Sequence, residues 1–271
     1  MIGEVMVTRW AYEAMVVNQF KTNNYEKHFY KYDKEKSIAD FKKNYWIPRL
    51  KSKVDDCVKN IGSPDHEEQV RNDLLLIHNE LRLGVFPFKE ISDIFPVTLI
   101  DSIHYESFNA KIGKRIKIYL DSLLHYYIQR RNNIARSKDK LVAKMNSDET
   151  KRTKFIRIKN MYDNESLRDL AVNKNEINRI KEIDGELVQQ ADPIYMNPVS
   201  QGNIRTHFFA PKKTLFGKLY DTFWINILVI WLMSLFLMIS LYLNLFRKIL
   251  EYPGILIDKL QKLLPKKEAE A

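Results

Sequence analysis

A 271-residue chain with 45% hydrophobic and 29% charged side chains has the apolar material for a packed core and is not a disordered polymer. Eight glycines and nine prolines are too few for a strand-rich sandwich with its many turns, so long helices are expected. The net charge of +10 is spread out, because six basic and four acidic residues lie from Arg247 onward and leave 38 basic against 30 acidic before it; the lone Cys57 excludes an intrachain disulfide.

In chain order, Val7, Trp10, Ala14 and Val17 recur at helical spacing, which predicts an amphipathic helix over residues 1–20. Glu4, Arg9 and Glu13 interrupt it, so it is no secretory signal. Tyr, Phe and Lys crowd the stretch from Tyr25 to Tyr45, and Pro48 is expected to end or kink any helix running through it. Ser63-Pro64-Asp65 predicts a capped helix start, Val70, Leu74, Ile77 and Leu81 its buried stripe, and Gly84 its end. Pro87 and Pro96 bracket a connector. A long helix is expected from about Ser107 to Met145, with the stripe Ile112, Ile116, Tyr119, Leu123, Tyr127, Ile134 and Leu141, interrupted only weakly by Gly113. Past a turn at Asn146-Ser147-Asp148, Leu167, Leu170, Ile177 and Ile180 predict a second helical stretch reaching about Ile183, so that the two return as an antiparallel hairpin. Pro193, Pro198, Gly202 and Pro211 mark a linker.

From Thr222 to Phe246 lie 25 residues without a formal charge. A hydrocarbon core of about 30 Å needs about 20 apolar residues at 1.5 Å rise, so this run predicts a transmembrane helix with length to spare for tilt. Phe223 and Trp224 near one end and Tyr242 and Phe246 near the other suit interfacial belts, while Arg247 and Lys248 supply a basic stop. Asn226, Ser234, Ser240 and Asn244 are its clearly polar residues and are expected to face a partner helix. Around the Tyr252-Pro253-Gly254 break, residues 251–271 read as a basic amphipathic tail, an interfacial helix or a frayed end alike, and cytoplasmic where residues 21–211 are extracytoplasmic.

Familiar catalytic patterns fail on specific residues. In His66-Glu67-Glu68-Gln69-Val70, valine stands where a zinc protease needs its second histidine. Neither Gly113-Lys114 nor Gly217-Lys218 has the glycine five positions earlier that a phosphate-cradling loop requires; Phe108 and Lys212 stand there instead. No nucleophile with a neighbouring base stands out. The series Tyr126, Tyr127, Arg130, Arg131, Arg136, Lys138, Lys140 and Lys144 has the composition of a nucleic-acid grip, but the solvated face of a long helix explains it as well.

Two stretches carry a resemblance: Val7 to Phe20 (VTRWAYEAMVVNQF), and His207 to Leu250, which joins a charged and aromatic entry to the full apolar run. They resemble the C-terminal part of bacterial ATP-binding cassette transporters with an exporter-type membrane domain related to the G (White pigment) subfamily. The resemblance implies that Arg9, Trp10, Tyr12 and Glu13 occupy a membrane re-entry motif lining a translocation path or an interface. It also implies that residues 21–211 form a helical extracytoplasmic loop domain, and that residues 212–250 form the linker and final transmembrane helix (222–246) of a bacterial inner-membrane protein. On this expectation Met1 begins a truncated or split reading frame, and the chain works with an upstream portion bearing a nucleotide-binding domain, in a dimeric transporter surrounded by membrane lipid.

The expected fold is therefore mainly α: an elongated, hairpin-like helical extramembrane domain followed by one C-terminal transmembrane helix. No catalytic residue, cofactor, metal site or nucleic-acid partner is expected within this chain, since ATP and Mg would belong to the nucleotide-binding domain. A tail-anchored helical scaffold at a membrane surface is the alternative.

Overall fold

The computed structural model describes residues 2–85, 100–198 and 206–244. Its helices are α1 (Val7–Thr22), α2 (Tyr30–Phe41), α3 (Ile47–Asn60), α4 (Glu67–Val85), α5 (Ala110–Met145), α6 (Glu149–Tyr162), α7 (Glu165–Ala171) and α8 (Thr222–Tyr242). Two hairpins join them: β1 (Ile180–Ile183) with β2 (Glu186–Gln189), and β3 (Lys212–Leu215) with β4 (Lys218–Asp221). The fold is thus mainly helical and carries one C-terminal apolar helix, as composition predicts. It divides into two compact units, one drawn from Met1–Met15 and Phe223–Ala271, the other Val16–Thr222. Residues 86–99, 199–205 and 245–271 lie outside the description, and with them the expectations for Pro87, Pro96, Gly202, Phe246, Arg247, Lys248 and the tail.

The larger unit is built on α2, α3, α4 and α5, which share one core. Leu50, Val54 and Cys57 of α3, Val70, Leu74, Ile77 and Leu81 of α4, and Ile116, Tyr119, Leu123 and Tyr127 of α5 are all buried in it. The long helix therefore packs chiefly on α2 and α3, which precede it in sequence. Burial of this much apolar surface, at about 25 cal/mol per Å², is what holds the unit together. A second cluster gathers Val16, Val17, Phe20, Ala171, Ile194, Tyr195 and Phe209. Phe20, Tyr30 and Tyr195 form an aromatic triangle with centroids 5.7–6.4 Å apart, and the Tyr30 hydroxyl donates to the Ile194 carbonyl at 2.8 Å. The segment expected as a linker around Pro193 is in fact core material.

Several local expectations change. Pro48 does not end its helix. Residues Lys42–Trp46 form a π turn between α2 and α3, in which the Ile47 amide donates to the Lys42 carbonyl five residues back. The wider turn accommodates a proline that has no amide hydrogen and clashes with a regular helical carbonyl. Ser63 does not cap; a 3₁₀ turn over Pro64–His66 leads into α4, which runs past Gly84 to Val85. The long helix starts at Ala110, where the Asn109 side chain accepts from the amides of Lys111 and Ile112.

The second helical stretch does not reach Ile183. It breaks after Tyr162, restarts under an Asn164 cap and ends at Ala171, where Asn173 turns left-handed at φ 50°. Ile177 is 91% exposed and Ile180–Ile183 is a strand. Asp184 and Gly185 stand at φ 51° and 73°, the left-handed pair a two-residue hairpin requires. This hairpin lies on the core. Leu187 is buried there, and Lys53 of α3 bridges Asp73 of α4 at 2.6 Å and Glu182 of β1 at 3.0 Å.

Gly113 is a packing device. A Cβ placed on it would stand 2.5 Å from Cγ2 of Val58 and 3.4 Å from Phe108. Because χ1 of valine is stiff, Gly113→Ala is expected to lose about 1–3 kcal/mol to overpacking, against about 1 kcal/mol gained in helix propensity. Thermal denaturation of the double variant Gly113→Ala/Val58→Ala, in which the clashing methyl is gone, should show the two changes to be strongly non-additive.

Burial also acts on one cation. The Lys42 ammonium lies 3.6 Å from the centroid of the Trp46 ring, and desolvation, partly offset by the charge of Glu80, pushes its pKa down to about 8. At this one site the unfolded chain binds more protons than the folded one between about pH 8 and 10.5, so Lys42 contributes a rise of stability with pH there, by at most about 1.4 kcal/mol per unit. The buried Cys57 thiol, pushed up to about 12 by desolvation, works the other way from about pH 9, and above about pH 10 the buried Tyr119 and Tyr127, both pushed up to about 12, join it. Urea titrations should show the stability of the parent chain gaining on that of Lys42→Met as pH rises from 8 to 10.

Candidate functional site: a buried polar contact on the apolar helix

Helix α8 has 21 residues, about 32 Å at 1.5 Å per residue, and it is long and apolar enough to cross a membrane. Along most of its length it buries little: Trp231 is 75% exposed, and Leu232, Leu235, Phe236, Met238 and Leu241 are exposed with it. Its start is fixed locally, since the buried Thr222 hydroxyl donates to the Ala210 carbonyl at 2.5 Å. A left-handed Asn244 at φ 49° follows its end, the conformation that stops a helix with little penalty for asparagine.

One turn into this helix the side chain of Asn226 is completely buried. Its Nδ2 donates to Oε2 of Glu13 at 2.9 Å and to the Trp10 carbonyl at 3.0 Å, both on α1 and 213 and 216 residues away in sequence. Glu13 is likewise completely buried, and Trp10, Ala14 and Ile225 are nearly so. The other amide atom, Oδ1 of Asn226, is buried with no hydrogen-bond partner among the described residues. Arg9 supports the arrangement from outside: its guanidinium pairs with Glu4 at 2.7 Å and lies 5.3 Å from the Trp10 ring, whose Nε1 donates to the Glu4 carbonyl at 2.8 Å.

Of the residues singled out from sequence, the structure brings Arg9, Trp10, Glu13 and Asn226 together. Tyr12 is about half exposed. Ser240 is buried, whereas Ser234 is exposed and its hydroxyl donates back to the Ile230 carbonyl of its own helix. Asn244 is exposed at the helix end, and the Ser234 hydroxyl is satisfied four residues back. Trp224 and Tyr242 are exposed at the two ends of α8.

The basic series on α5 is largely an interhelical charge ladder. Arg130 pairs with Glu35 at 3.7 Å, Arg131 with Asp40 at 3.3 Å and Lys138 with Asp33, all three acids lying on α2, while Tyr127 is buried. Sequence reasoning missed one histidine contact: the rings of His78 and His104 lie with centroids 5.5 Å apart, brought together by the fold from distant positions. Among the described residues no group of three His, Cys, Asp or Glu could hold a metal ion.

A buried carboxylate held by a carboxamide, with apolar surface around it, can register one helix against another and keep that register when the rest of the surface is not in water. No protein-family model, no curated protein and no solved structure matches the chain.

Proposed function

We propose that this chain is the C-terminal part of the membrane-spanning portion of an ATP-driven exporter of the ATP-binding cassette type, and that it takes part in moving a substrate across the bacterial inner membrane. The observation that supports the reading is the hydrogen bond from Asn226 to Glu13. It joins the two segments that carry the resemblance, although more than two hundred residues separate them in sequence. In this reading α8 crosses the bilayer, α1 packs on it at the membrane re-entry, and Val16–Thr222 is a helical loop domain on the outer face. Arg9, Trp10, Tyr12 and Glu13 then line an interface or a translocation path.

The work of such a chain is conformational: helices of two membrane halves change their access state while a nucleotide-binding domain elsewhere in a dimeric transporter hydrolyses ATP. Protease treatment of right-side-out cells tests the topology. Digestion of Val16–Thr222 from outside, with α8 retained in the membrane fraction, is the result expected. Digestion only in inverted vesicles would favour a tail-anchored scaffold instead.

A further inference from the structure

Within the larger unit, α6 and the end of α5 close over the segment between α1 and α2 and leave a cavity of about 350 Å³, a size common for small-molecule sites. Its floor is aromatic. The rings of Tyr25, Phe29 and Phe155 stand 5.1, 5.9 and 6.4 Å apart, centroid to centroid, and Leu141, Met145 and Ile158 complete an apolar lining. Desolvation here, followed by the nearby charge of Asp163, raises the pKa of the Tyr25 phenol above its ordinary value.

The rim has the opposite character and a single sign. Lys144, Lys151 and Lys154 line the cavity, and no aspartate or glutamate does. Lys151 is engaged by Asp148 at 2.8 Å and by the Ser147 hydroxyl at 2.9 Å. Lys144 and Lys154 take part in no ion pair among the described residues, so two ammonium groups beside an apolar floor have no counter-charge among those residues.

An occupant matched to this place has an apolar body for the aromatic floor and one anionic head for the lysines. A neutral hydrocarbon leaves the rim unmatched, and a compact inorganic anion leaves the floor unmatched. We propose that this cavity binds a single-chain anionic amphiphile, a medium- or long-chain carboxylate whose tail lies against Tyr25, Phe29 and Phe155 and whose head pairs with Lys144 and Lys154. The assignment rests on the cavity alone and stands or falls separately from the transporter reading.

The test uses the full chain in phosphatidylcholine nanodiscs and a dodecanoate carrying a diazirine on its tail, kept below its micelle concentration. Photolysis and peptide mass mapping are expected to place adducts on Tyr25–Phe29, Leu141–Met145 and Phe155–Ile158. Unlabelled dodecanoate should suppress them, and dodecanol should compete about tenfold less well, the loss of one charge-assisted contact. The charge reversal Lys144→Glu/Lys154→Glu, on exposed side chains, should lower labelling about tenfold with the helical circular dichroism unchanged, and Ile158→Trp should block it by filling the cavity. Adducts confined to α8, equal competition by dodecanol, or undiminished labelling of the charge-reversed chain would overturn the assignment. Binding to anionic vesicles with no labelling by dodecanoate would overturn it too, and would make the basic rim a bilayer-docking face.

Discussion

Asn226→Leu is expected to loosen α1 from α8 and expose the first fifteen residues to protease in detergent. Leucine shares the branching and heavy-atom count of asparagine and cannot donate, so the change is aimed at the two hydrogen bonds that the amide donates. It takes one donor from the Glu13 carboxylate and a second donor from the Trp10 carbonyl, which keeps its own helical partner; the loss of one charge-assisted and one neutral hydrogen bond costs about 2–4 kcal/mol. A loss of even 2 kcal/mol raises the population of an open state about thirtyfold, which a proteolysis rate reads directly. Glu13→Gln keeps an oxygen for the amide and gives up only the charge, so its rate should lie close to that of the parent chain. Equal rates for Asn226→Leu and the parent would mean that this contact holds nothing.

A change of similar size is expected at Glu80, in the other unit. Its buried carboxylate accepts from Nε1 of Trp46 at 2.5 Å and from the Leu187 amide at 2.6 Å, tying the π turn, α4 and β2 together. Glu80→Leu leaves two buried donors unsatisfied at about 1–3 kcal/mol each, so the urea midpoint should fall by the equivalent of about 2–6 kcal/mol. Glu80→Gln presents one oxygen and one amide group to two donors, satisfies one of them and should lose about half as much. Because the charge of Glu80 partly offsets the burial of Lys42, both variants should also drive the Lys42 pKa lower. An unchanged midpoint in Glu80→Leu would show that these donors find other partners.

The helical stripes and the apolar run were legible because burial imposes a period on sequence. Val70, Leu74, Ile77 and Leu81 repeat at three and four residues and are all buried on one face of α4. Asp184-Gly185 is a two-residue turn signal that the helical spacing of Ile177 and Ile180 hides, and it is the turn that decides the backbone there. The Phe216-Gly217 turn of the second hairpin carries a weaker signal, since a phenylalanine at φ 50° is not what a left-handed position favours. Pro48 failed as a punctuation mark because a π turn, invisible in composition, absorbs it.

For the site, sequence supplies the members and not their meeting. Asn226 stands out as a carboxamide in an apolar run and Glu13 as a carboxylate on an aromatic helix face. Only packing shows that one donates to the other across 213 positions. Ser234 shows another outcome for a polar residue in an apolar helix, a hydroxyl bonded to its own backbone. The cavity beside Phe155 was out of reach for the same reason, because its floor is drawn from three stretches that share no period.

The account depends on α8 being solvated by lipid, and a lipid-phase photoprobe combined with alkaline carbonate extraction of membranes expressing the full chain tests that most directly. The predicted result is retention in the carbonate-washed pellet with probe adducts on Trp231, Leu235, Phe236 and Met238, the exposed face of the helix. Release into the supernatant as a monodisperse protein in detergent-free buffer, with those side chains unlabelled, would contradict it.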